Sequence, residues 1–224
     1  MKLFVDSANL AEIEEALARG FVAGVTTNPS IMAREERVDF VEHVHRIIAL
    51  LRRYGREVPL SVEVSVEDPD EMLDQAVKLV TAFRYPLLSV KVPIGWNELR
   101  VIAELRRRDI RVNCTCCMSF NQAYMAALAG ANYVSLFYNR IRDIGYDARS
   151  VVAETVRAFR EGGLAAEVIV GSIRHLYDVN EAFSAGAHIV TVPAKFLPQL
   201  TQHPKTTEAV DQFLSDFRRW SEPT

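Results

Sequence analysis

Leu60-Ser61-Val62-Glu63-Val64-Ser65 runs on through Asp70–Phe83 into Leu87-Leu88-Ser89-Val90-Lys91-Val92. The two outer pieces are short and rich in Val and Leu, the composition of strands. The piece between them is longer, and its apolar residues recur every three or four positions, the period of one helical face. A strand, a helix and a strand in that order form a parallel unit, because parallel strands need a long crossover. The same alternation extends in both directions. Further β-type runs are Leu3–Ser7, Gly24–Thr27, Val112–Cys116, Tyr133–Phe137, Glu167–Ser172 and His188–Val192. Helix-length segments separate them: Asn9–Arg19, Val38–Tyr54, Trp96–Arg107, Asn121–Leu128, Ser150–Glu161 and the shorter Asp178–Ala185. Asn9 and Ser119 stand where N-caps belong, and Gly55, Gly130 and Gly186 where helices stop.

Eight strand–helix alternations form an open doubly wound sheet or a closed (β/α)8 barrel. Eight units in about 200 residues fit the barrel, at the small end of its range. No Pro/Gly/Ser-rich linker interrupts the chain, so residues 1–224 are expected to make one α/β domain, a single TIM barrel. The remainder, Lys205–Trp220, reads as an extra C-terminal helix. Phe213, Phe217 and Trp220 make one apolar stripe on it, which must cover either the same chain or a neighbour.

Composition narrows the function. Of 224 residues, 49% are hydrophobic and 25% charged, which excludes disorder, collagen-like repeats and a cysteine-stapled mini-protein. Twenty-six basic against 29 acidic side chains leave a net charge of −3, so neither nucleic acid nor a membrane surface is the expected partner. No apolar run approaches the ~20 residues of a bilayer span. Met1-Lys2-Leu3-Phe4-Val5-Asp6 meets an acid at its sixth position and lacks the features of a secretory signal. Cys114, Cys116 and Cys117 are an odd number in one cluster, which suits a reducing cytoplasm.

Parallel barrel strands are buried on both faces and should be almost wholly apolar. Several are not. Asp6 ends the first strand, and Thr26 and Asn28 the second; Glu63 sits among valines in the third, and Lys91 between Val90 and Val92 in the fourth. Asn113 and Thr115 share one face of the fifth, with Cys114 and Cys116 expected on the other. Ser135 lies on the sixth and Ser172 ends the seventh. Active sites of this architecture lie at the C-terminal strand ends, where these groups converge. Lys91 and Glu63 either pair with each other or serve chemistry. A lysine among apolar neighbours is pushed toward the neutral amine, which attacks carbonyls and forms Schiff bases. With a carboxylate nearby, and without metal ligands or a dinucleotide fingerprint, the set points to imine-forming carbon–carbon bond chemistry.

Several segments then resemble a known family. They are Lys2-Leu3-Phe4-Val5-Asp6-Ser7-Ala8-Asn9, Gly24-Val25-Thr26-Thr27-Asn28-Pro29-Ser30, Val90-Lys91-Val92-Pro93 and Val112-Asn113-Cys114-Thr115. Ser119-Phe120-Asn121-Gln122-Ala123, Ala129-Gly130-Ala131-Asn132-Tyr133-Val134-Ser135, Gly171-Ser172-Ile173-Arg174-His175 and Ala185-Gly186-Ala187 follow in order. Together they are similar to the short single-domain branch of the transaldolase and fructose-6-phosphate aldolase family. The resemblance implies Lys91 as the Schiff-base lysine and Asp6 as the acid–base residue. It implies that Glu63 and Thr115 position the water of imine formation and hydrolysis. Asn28 and Asn113 would hold the dihydroxyacetone hydroxyls beside Ser135, and Arg140, Ser172 and Arg174 would clamp the sugar phosphate. Thr26 and Phe137 join the substrate-binding set. No metal or organic cofactor is implied, and the expected assembly is a homo-oligomer, a pentamer or decamer.

The implied activity is transaldolase, with two alternatives: an aldolase releasing free dihydroxyacetone, or a transaldolase for an unusual sugar phosphate. Glu63 and Phe137 side with transfer, and Asn139 with the aldolase branch, where family members carry Asn at that place. Tyr138 should face away from Phe137 unless a bulge turns it inward. The cysteines read as small buried hydrophobes, and His43 and His45 as surface residues of a helix. Arg106-Arg107-Arg108 ends a helix, where cations suit the dipole.

Overall fold

The computed structural model describes residues 1–54 and 58–221. Its strands are β1 (Lys2–Asp6), β2 (Val22–Thr26), β3 (Leu60–Glu63), β4 (Leu88–Pro93), β5 (Arg111–Cys117), β6 (Tyr133–Phe137), β7 (Glu167–Gly171) and β8 (Ile189–Pro193). All pair in parallel and in chain order, and β8 returns to β1, closing the barrel. The helices are α1 (Leu10–Ala18), α2 (Pro29–Met32), α3 (Phe40–Arg53), α4 (Pro69–Phe83), α5 (Glu98–Arg107), α6 (Phe120–Leu128), α7 (Tyr138–Asp143), α8 (Ala148–Glu161), α9 (Leu176–Ser184) and α10 (Pro204–Ser221). This is the (β/α)8 TIM barrel with a C-terminal helix that the alternation predicts. The short helices α2 and α7, at the ends of β2 and β6, have too few residues to show a period.

The strands bury both faces, and the two faces make two cores. Outward residues such as Val62, Val90, Val134 and Val168 join the helices' apolar stripes in the larger one. Inside the barrel, Phe4, Tyr133, Ile169 and Ile189 form a smaller plug, with Phe4 edge-on to Tyr133 at 6.4 Å between ring centres. Gly24 leaves room for the Phe4 ring, which a Cβ there would meet at 2.4 Å. Above the plug the strand period of two puts Asp6, Ser135, Gly171 and Thr191 inside, one step nearer the C-terminal ends.

Local expectations hold at several ends. Asn9 accepts hydrogen bonds from the backbone of Ala11 and Glu12, and Ser119 from Gln122. Gly130 and Gly186 follow α6 and α9 at φ of 99° and 91°. Gly55 lies outside the described residues. β3 stops at Glu63 rather than Ser65, whose N–H turns to the Gln75 side chain at 2.8 Å. One expectation needs correction. His43 is buried, not on the surface, because its Nε2 reaches the carbonyl of Ala8 at 2.8 Å. Of the two covers left open for the stripe on α10, its own barrel is not the one: none of the helix's residues is buried, with Phe213 70%, Phe217 61% and Trp220 81% exposed.

Candidate active site

The C-terminal strand ends open into a cavity of about 490 Å³. Every candidate catalytic or substrate-binding residue named from the sequence lines it except Asn113. Lys91 rises from β4 and is 4% exposed. Its Nζ donates to Glu63 Oε2 at 2.7 Å and to the carbonyl of Thr27 at 2.8 Å. Glu63 is the register partner of Lys91 on β3, so ladder pairing alone sets the two side by side. The pairing left open by the sequence is therefore formed, and it offsets the desolvation of both groups.

Asp6 stands on the neighbouring arc. Thr26, its partner on β2, donates to Asp6 Oδ1 at 2.7 Å and meets Thr191 at 2.5 Å between hydroxyls. Burial pushes the Asp6 carboxyl above its ordinary range. The Thr26 bond and the charge of Lys91 oppose that rise, Glu63 adds to it, and Arg34 opposes it. Thr115 Oγ1 is buried without a hydrogen-bond partner among the described residues. Asn113 lies below the cavity wall, with Nδ2 donating to Ser61 Oγ at 3.1 Å. Its Oδ1 accepts from Ser135 Oγ at 2.7 Å, and Ser135 does line the cavity. Asn28 caps α2 through Oδ1, bonded to the N–H of Ile31 at 3.0 Å, so Nδ2 is the group it offers the cavity.

The far wall comes from the segments after β6 and β7. The Arg140 guanidinium lies 5.8 Å from the Phe137 ring centre. Ser172 is held at φ 58°, and Arg174 forks onto Asp143 at 2.7 and 2.6 Å. Tyr138 points away, buried, its hydroxyl donating to Glu181 Oε2 at 3.2 Å. No bulge turns it inward, and Phe137 is the residue that faces the cavity.

Among the lining residues outside that candidate set are Arg34, Thr191 and Cys116. Arg34, in the segment after α2, carries no periodic signal. Thr191 follows from strand alternation but lacked a charge to draw attention. Cys116 was expected outside beside Cys114. A register shift between Cys114 and Cys117, with Cys116 at φ 61°, turns it to the cavity instead. Burial raises its thiol above the usual range, with the Glu63 charge adding. Cys114 and Cys117 stay in the outer core, sulfurs 3.9 Å apart. Among the described residues, no group of three or more His, Cys, Asp or Glu is placed to hold a metal ion.

The family model for transaldolase/fructose-6-phosphate aldolase matches residues 3–222. A probable transaldolase of Dehalococcoides mccartyi is 40% identical over 218 residues, covering 97% of this chain and 98% of its own. One from Moorella thermoacetica is 41% identical over 219 residues, with 98% of both chains covered. Another, from Heliobacterium modesticaldum, is 42% identical over 217 residues and 97% of both chains. With a barrel of the expected order beneath these matches, the chain belongs to the transaldolase/fructose-6-phosphate aldolase family.

Proposed function

We propose that the protein is a transaldolase, moving a dihydroxyacetone unit from a ketose phosphate to an aldose phosphate through a Schiff base on Lys91. The observation that carries this reading is a buried lysine paired with Glu63, in a cavity that Asp6 and the arginines Arg34, Arg140 and Arg174 also line. Glu63, 2.7 Å from Nζ, takes the ammonium proton, and the freed amine adds to the ketose carbonyl. Loss of water, held between Glu63 and the unpartnered hydroxyl of Thr115, gives the iminium. Asp6 removes the proton of the hydroxyl beside the bond to be broken. That carbon–carbon bond cleaves, its electron pair moves to the iminium, and the aldose phosphate leaves. The resulting enamine attacks the acceptor aldehyde, Asp6 returns the proton to the new alkoxide, and water releases the product from Lys91.

Asn28, Asn113 and Ser135 hold the dihydroxyacetone hydroxyls, Asn113 acting through Ser135. Arg140, Ser172 and Arg174 bind the phosphate, a fork geometry that suits guanidinium. The apolar Phe137 keeps a proton donor away from the enamine carbon, which favours transfer over release. Homo-oligomeric assembly and a cytoplasmic setting complete the reading, supported by the uncovered stripe of α10 and the three free thiols.

Borohydride reduction with fructose 6-phosphate, followed by peptide mass spectrometry, should place the adduct on Lys91. Label on Lys195, or none, refutes the assignment. Fructose 6-phosphate alone should yield dihydroxyacetone slowly, and erythrose 4-phosphate should speed glyceraldehyde 3-phosphate release. Equal rates with and without acceptor would replace transfer by aldol cleavage.

A further inference from the structure

We propose that Asn139 and Asp178 are positioning residues for the phosphate clamp, holding the segment that carries Ser172 and Arg174 in its binding shape before substrate arrives. The inference rests on the reading of Arg140, Ser172 and Arg174 as that clamp. Ser172 sits at φ 58°, a left-handed backbone that a residue with a Cβ adopts only when its surroundings hold it there. The holding groups are in contact with it. Asn139, next to Arg140 in the chain, donates from Nδ2 to the carbonyl of Ser172 at 2.8 Å and to Asp178 Oδ2 at 2.6 Å. The same Oδ2 accepts the backbone N–H groups of Arg174 and His175 at 2.9 and 2.8 Å. Asp178 Oδ1 accepts from Arg142 at 3.0 Å.

Asp178 is 1% exposed and Asn139 5%, and neither lines the cavity. Both N–H groups of the Asn139 amide have acceptors and both oxygens of Asp178 have donors, so the donor side of Asn139 and the carboxylate of Asp178 are spent on the segment itself. What they do is tie the segment after β7 to the segment after β6, the two that supply clamp arginines. The Arg174 side chain is tied separately, to Asp143 on α7. A site held in its bound shape loses less freedom when the ligand enters. The brace therefore acts on phosphate affinity and leaves the Lys91 layer, on other strands, unaffected.

The test is Asn139→Ala, which removes both donated bonds but leaves Asp178 its Arg142 and backbone partners. Asn139→Ser, keeping one short donor, replaces it if the alanine variant is insoluble. The inhibition constant of inorganic phosphate and the KM for glyceraldehyde 3-phosphate should rise together, about tenfold or more, while kcat changes less than about threefold. KM for unphosphorylated glyceraldehyde, and borohydride trapping of dihydroxyacetone on Lys91, should stay at the wild-type level. Unchanged phosphate inhibition, or an equal loss with both aldehydes, overturns the proposal. Arg140→Ala separates the two readings. If it loses phosphate preference and Asn139→Ala does not, the brace is wrong and the clamp stands. If neither loses it, the clamp is wrong and the brace falls with it.

Discussion

Asp6 is the residue whose environment is most divided. Burial favours its neutral form, while Thr26, Lys91 and Arg34 favour the carboxylate. Burial prevails, so the group titrates above the ordinary aspartate value of about 3.9. A base works only when deprotonated, so activity should fall as pH drops, and the fall should begin above the usual carboxylate range. Thr26→Val removes the hydrogen bond that lowers the value while keeping the side chain's shape. The acidic limb of kcat/KM for fructose 6-phosphate should then move to higher pH. An unmoved limb would mean that another group controls it. Lys91 and Glu63 show the opposite economy: each supplies the charge that lets the other be buried, and both were visible as charges in apolar strands.

Among the elements, β5 and α10 depart most from simple rules. A strand of period two would send Cys116 outward with Cys114, but the register shift against β6 adds a residue and reverses the alternation. Thus Cys116 reaches the cavity and Cys117 takes the outer place. In α10 the apolar stripe of Phe213, Phe217 and Trp220 meets solvent in the single chain. Burying one such side chain is worth roughly 1.5–3 kcal/mol, which is reason for a second copy to cover it. Sedimentation of the wild type should show an oligomer, and the double substitution Phe217→Ser with Trp220→Ser should shift it to smaller species. A monomeric wild type would assign the stripe to some other role.

For the molecule as a whole, the barrel interior is divided by height. Its lower part is filled by Phe4, Tyr133, Ile169 and Ile189 beside the buried Ser61–Asn113 pair; its upper part carries the polar groups that line the cavity. The filled part keeps the ring of strands at one diameter and so sets the spacing of everything above it. Gly24 is where this filling is tightest, since a Cβ would overlap the Phe4 ring carbons at 2.4–2.5 Å. Gly24→Ala should lower stability by about 1–3 kcal/mol, seen as an earlier urea midpoint with unchanged slope. A neutral result would show that Phe4 has room to turn aside.

Much of this protein was legible in its chain. The two periods, near two in strands and near 3.6 in helices, are local properties of the backbone and gave the order of the barrel. Lys91, Glu63 and Asp6 stood out because a charge in a doubly buried strand is costly unless it has a partner or a task. Other features depend on segments far apart in sequence. The partners of Asn139 and Asp178 lie across two loops, the exposure of α10 depends on where the chain leaves the barrel, and Cys116 turns inward because of its register against β6. Arg34 reaches the cavity because α2 stands at its edge, with Pro29, Ser30 and Ile31 also lining it. Periodicity records which face of an element is buried; which groups meet across the closed ring is set by register, bulges and loop paths, and these are fixed by packing among distant strands.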